Sequence, residues 1–193
     1  MESKNSNSMT LTYGGKYPKR KREENPLQSS NLMRIFEGLL KDIYWSEKAL
    51  IEVIPKVTSK VSSPEMISSL TSHNSEIENQ VKKMEGVFRS MEKEAAPRKS
   101  EDMKRLIRNV GEIMETEDFG LQCDLKIIFA LQKIQHYKIS SYAALSSFAK
   151  TLDENDAVTL LEQAFNVERE TDKRLNKTAQ LINYKIVVRN RSV

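Results

Sequence analysis

From Leu32 onward, apolar residues recur at steps of three and four. Leu32, Phe36, Leu39, Ile43, Leu50, Ile54, Val57 and Val61 fall on one face of a first helix, capped by Ser29, Ser30 or Asn31. Pro55 interrupts that stripe, but the pattern continues beyond it, so a kink is expected rather than an end. The stretch SSPEM places a serine cap before Pro64 at a first helical position. Ile67, Leu70, Ile77, Val81, Met84, Phe88 and Met91 then trace a second stripe, broken at Pro97. A shorter helix near 100–115 ends around TEDFG, and two more long helices run from about Phe119 to Leu152 and from about Glu154 to Ile186. Strand signals are almost absent. The pattern predicts an all-α four-helix bundle, with the short helix on a long crossover between the second and third long helices.

Each long stripe is broken near its middle by polar residues. Glu47 takes the slot between Ile43 and Leu50; His73 and Glu76, three apart, sit between Leu70 and Ile77. In the third long helix Leu131, Gln135, Lys138, Tyr142 and Leu145 share one line. In the fourth, Leu161, Phe165, Glu168, Asp172, Leu175 and Ala179 do. Carboxylates withdrawn from water cost several kcal/mol each unless cations face them, whether metal ions or basic side chains. A polar, water-filled layer without a ligand is the other reading of the same pattern.

Charge separates the tail from the bundle. Of the net +4, residues 1–30 carry +3 and the rest of the chain +1, so the basic pI belongs mainly to the tail. Residues 1–30 show no periodicity and read as a disordered basic tail; 31–186 read as the bundle and 187–193 as a short C-terminal tail. The run KRKR, Lys19 to Arg22, offers a contact to nucleic acid, which is otherwise not expected as a partner. Cys123 is the single cysteine, excluding an intramolecular disulfide or a thiolate cluster. No apolar run suits a signal peptide or a membrane span, so the expected location is cytoplasmic.

The segments LLKDIYWSEKALIEVIPKV, SSPEMISSLTSHNSEIENQVKKMEGVF, ALQKIQHYKISSYAAL and LLEQAFNVERETDKRLNKTA resemble successive helices of the YciE/YciF family of ferritin-like proteins. The similarity covers most of residues 32–182, in order. It implies a ferritin-like bundle that forms homodimers, a link to bacterial stress responses, and a two-metal site for iron or manganese. On the matching positions the implied metal ligands are Glu47, the H-x-x-E pair His73 and Glu76, and Glu168 and Asp172. The third long helix departs from the family pattern. Where relatives usually carry EHYE, this chain has QHYK, Gln135 to Lys138, and both acids are lost.

A glutamine still ligates through oxygen but brings no charge, and an ammonium opposes a divalent ion while suiting carboxylates. Lys138 is therefore expected to stand in for one metal's charge, pairing with Glu47, Glu76 or Glu168, leaving one weakly held metal or none. His73 reads as a ligand or as a hydrogen-bonded core histidine. His136 lies beside the stripe, where packing or an interface fits better than ligation; Tyr44, Trp45, Tyr137 and Tyr142 read as packing residues. The expected function is a non-catalytic, ferritin-like stress-response protein with a degenerate metal site. A di-metal oxidase or peroxidase, and a DNA-protecting miniferritin-like assembly using the basic tail, are the alternatives.

Overall fold

The structure, a computed structural model, describes residues 26–189. They form five helices: α1 (Pro26–Thr58), α2 (Pro64–Ser90), α3 (Glu101–Thr116), α4 (Leu121–Thr151) and α5 (Asn155–Arg189). α1 starts earlier than expected, so Ser29, Ser30 and Asn31 lie inside the helix rather than capping it. Pro26 at the first helical position is the reason: its fixed φ suits a helix start, and its missing N–H would be unpaired there anyway. The KRKR run and residues 190–193 lie outside the described residues. α1 runs through Pro55 and ends three residues later, in keeping with the expectation that this proline does not terminate it. α2 begins as expected: Pro64 follows Ser63, whose side chain accepts from the Met66 N–H.

α1 and α2 form one antiparallel hairpin, α4 and α5 the other, with α2 against α5 and α1 against α4. The crossover, residues 91–120, returns the chain along the bundle, so that α4 runs parallel to α2. Arg98 ties it to α1: its guanidinium binds Asp42 Oδ1 at 2.6 Å and the Gly38 carbonyl at 3.0 Å. A Cβ at Gly38 would sit 3.2 Å from that guanidinium, so glycine permits the close approach. Ser100 caps α3 through the Met103 N–H and meets the Tyr137 hydroxyl of α4 at 3.0 Å. At the head of α4, Gly120 adopts φ 153°, ψ −178°, a conformation essentially reserved for glycine.

The join between α1 and α2 is fastened from α4. Asp124, fully buried, accepts from the Ser62 N–H at 2.9 Å, the Ser62 hydroxyl at 2.8 Å and the Ser63 N–H at 2.7 Å. Asp124→Ala strands the buried Ser63 N–H and the partly buried Ser62 donors and will cost about 2 kcal/mol. A lower urea midpoint at unchanged slope would register it; an unchanged midpoint would show that the turn holds without the carboxylate.

The apolar interior is in two parts. One holds Leu50, Ile54, Leu70, Ile77, Ile128, Leu131, Leu175 and Ile182; the other holds Phe36, Leu40, Ile43, Met84, Phe88, Leu145 and Leu161. Between them, at mid-height, each of the four long helices contributes buried polar groups: Glu47, Gln80, Gln135, Lys138 and Glu168. Most of the expected stripes face these cores. Ile67 is a correction: it is 39% exposed, and its neighbour Met66 takes the inward position.

Candidate functional site

Lys138 is the centre of the polar layer. The helical period from Leu131 and towards Tyr142 and Leu145 turns it inward, and its side chain is fully buried. Its Nζ lies 3.0 Å from Glu47 Oε2 on α1 and 2.9 Å from Glu168 Oε2 on α5. The ammonium meets both acids at ion-pair distance, and Coulombic attraction is the larger part of what favours its charge there. Burial alone would lower the Lys138 pKa; the two carboxylates more than offset this and hold it above the usual lysine range.

The remaining carboxylate oxygens are also engaged. Tyr142 donates its hydroxyl to Glu47 Oε1 at 2.7 Å. Gln80 donates to Glu168 Oε1 at 2.6 Å and to the Ala164 carbonyl at 3.0 Å. Gln135 donates its amide to the Glu168 carbonyl at 2.9 Å and to Glu168 Oε2. Both of those partners are acceptors, so the amide NH2 must face them.

One ammonium cannot neutralise two acids, and their pKa values part accordingly. Burial raises Glu47 to about 7 against the opposing pull of Lys138. Glu168 meets the same burial penalty, but Lys138 and the Gln80 hydrogen bond overcome it and hold it below the ordinary carboxylate range. With Glu47 protonated, Glu168 and Lys138 balance and the layer is neutral.

The other expected site residues lie at the edge. Glu76 is half-buried between α2 and α5, accepting from the Thr171 hydroxyl at 2.9 Å and pairing with Arg174. Burial pushes its pKa up, but His73, Arg174 and Thr171 outweigh it and bring the value to about 2. His73 is buried, and its Nδ1 makes a long contact of 3.7 Å to Glu76 Oε2. Burial lowers its pKa, which favours the neutral ring. Asp172 faces His136 Nε2 at 3.2 Å and accepts from Asn176. His136 is 68% exposed on the outside of the bundle. Lys138 therefore pairs with Glu47 and Glu168 and not with Glu76, which has its own cation. Of the three acids expected as partners of Lys138, Glu47 and Glu168 take that place.

Gln80 and Tyr142 also belong to this layer, to which sequence reasoning did not assign them. Gln80 lies four residues after Glu76, on the same helical face, and that spacing was the available signal.

A carboxylate-bridged metal pair needs inward acids and histidines from all four helices. The arranged donors do not fit one. An ammonium occupies the space between Glu47 and Glu168, Glu76 is committed to Arg174, and α4 presents an amide and a lysine. Among the described residues, no group of three or more His, Cys, Asp or Glu side chains comes together closely enough to hold a metal ion.

Residues 31–187 match a family described as a domain of unknown function, DUF892. The chain belongs to this family. It is 30% identical over 146 residues to Protein YciF of Escherichia coli (strain K12), across 75% of this chain and 88% of YciF. The crystal structure of the E. coli stress protein YciF matches with a TM-score of 0.77 at 28% identity, covering 80% of this chain and 98% of that one. YcfI of Rhodopseudomonas palustris, described as a candidate structural protein, matches with a TM-score of 0.72 at 25% identity, over 75% and 92% of the two chains. The resemblance to the YciE/YciF family and the ferritin-like bundle are thereby borne out. No helix among the described residues is long and apolar enough to cross a membrane.

Proposed function

We propose that this DUF892 member is a non-catalytic, ferritin-like protein of the stress-response type, in which a lysine-centred polar layer replaces a metal centre. It acts as a cytoplasmic homodimer. The observation that carries the reading is Lys138, whose ammonium lies about equally far from Glu47 and Glu168. An oxygen- or peroxide-handling metal pair needs neutralising acids on both halves of its site. Here α4 supplies Gln135 and Lys138 where acids are required.

The test is metal content after expression in iron-rich or manganese-rich medium. The wild-type chain is expected to hold well under one metal per chain, and Gln135→Glu combined with Lys138→Glu to raise that occupancy. Two irons per wild-type chain with consumption of peroxide would overturn the proposal in favour of a di-metal oxidase or peroxidase. Unchanged occupancy in the double variant would overturn the role given to Lys138.

A further inference from the structure

Away from the central layer, a groove opens between the C-terminal half of α2 and the start of α5. It is open to solvent along most of its length, with a volume of about 530 Å³, larger than an inorganic anion needs. Three cations line it, Lys82, Lys83 and Arg89, against one carboxylate, Asp156. Among the described residues, neither Lys82 nor Arg89 has a side-chain ion-pair partner. Lys82, Gly86 and Arg89 follow one another at steps of four and three, so one face of α2 presents both cations with a gap between them. That gap exposes an apolar floor. A Cβ on Gly86 would meet Leu160 Cδ1 at 3.0 Å, so the glycine lets α5 approach while leaving Leu160 uncovered.

Lys83 is already positioned. Its Nζ donates to Gln80 Oε1 at 3.0 Å, and Gln80 is itself fixed in the core by Glu168 and the Ala164 carbonyl. A donor held in advance loses less freedom when an anion arrives. Asp156 stands in the first turn of α5, where the helix dipole favours an acid, which accounts for a carboxylate in an otherwise basic groove.

We propose that this groove binds an organic phosphate monoester: the phosphate against Lys82, Lys83 and Arg89, the organic body over Gly86 and Leu160. Arginine and lysine together give phosphate both fork-shaped and point-charge partners. The apolar floor separates such a ligand from bare phosphate. The test of this inference varies Lys82, Arg89 and Asp156, and the metal test varies Gln135 and Lys138, so either can fail without the other.

Titration calorimetry on the full chain at about 20 mM salt, where surface charge is little screened, tests it. The probes are adenosine monophosphate, glucose 6-phosphate and inorganic phosphate. At least one organic phosphate is expected to bind saturably, with inorganic phosphate weaker by about tenfold; which organic probe binds distinguishes a nucleoside from a sugar body. Lys82→Gln with Arg89→Gln, both at exposed positions, should weaken binding about tenfold or more, with thermal unfolding unchanged, and Asp156→Asn should tighten it. The proposal is overturned by the absence of saturable binding, by inorganic phosphate binding as tightly as the organic probes, or by affinity that ignores the Lys82/Arg89 double variant.

Discussion

Replacing Lys138 with methionine will cost the bundle roughly 3–5 kcal/mol, the usual penalty for removing one partner of a buried charge cluster. In a domain of this size that lowers Tm by on the order of 10 °C. Methionine fills much of the same volume, so the loss comes from electrostatics more than from a cavity. Glu47 and Glu168 would then face each other in the core without the ammonium that holds them 3.0 and 2.9 Å away. The informative comparison adds Glu47→Gln and Glu168→Gln to Lys138→Met. With no charge left to strand, the triple variant should recover most of the loss, because removing every member of a buried ionic cluster is far less costly than removing one. Thermal and urea unfolding of the single and triple variants read the difference. A single variant within 1 kcal/mol of wild type would mean that Lys138 is not compensating the acids at all.

The elements that position this layer were legible because they follow from local chemistry. Pro64 after Ser63 marks a helix start wherever it occurs, and the line through Leu131, Gln135, Lys138, Tyr142 and Leu145 places the lysine inward whatever packs against it. Pro26 carried the same start signal, but the polar tail around it masked it. What the sequence could not supply was the register between helices. Whether Glu76 points at Lys138 or at Arg174 depends on how α2 slides against α5, and that is settled by packing among residues almost a hundred positions apart. Gln80 escaped for a different reason. An uncharged amide gives no electrostatic alarm when it falls on an apolar stripe, yet once buried it must find partners, and it finds them on Glu168. Met66 against Ile67 shows the same limit on a smaller scale, since adjacent apolar residues at a helix start give the period no basis for choosing between them.

Compared with Glu47→Gln, the wild-type chain will lose stability as pH rises from about 4.5 to about 7. The sign follows from linkage. Glu47 titrates near its ordinary 4.5 when unfolded and at about 7 when folded, so between those values the folded state binds the extra proton. The contribution is complete below the unfolded value and gone above the folded one, a total of roughly 3 kcal/mol at about 1.4 kcal/mol per pH unit. Other groups slope differently. His73, with its pKa lowered, adds stability as pH rises towards its unfolded value of 6.5. Glu76 and Glu168, held low, lose theirs only as pH falls below about 4.5. Subtracting the Glu47→Gln profile removes the His73 and Glu76 contributions, and that of Glu168 falls below the pH range compared, while glutamine keeps the shape of the side chain and cannot titrate. Urea unfolding at intervals between pH 5 and pH 8, on both proteins, should therefore show the variant gaining on wild type with each step up to about pH 7 and no further gain above it. Two parallel profiles would mean that Glu47 is ionised throughout, and that one lysine holds two buried carboxylates with no proton to help it.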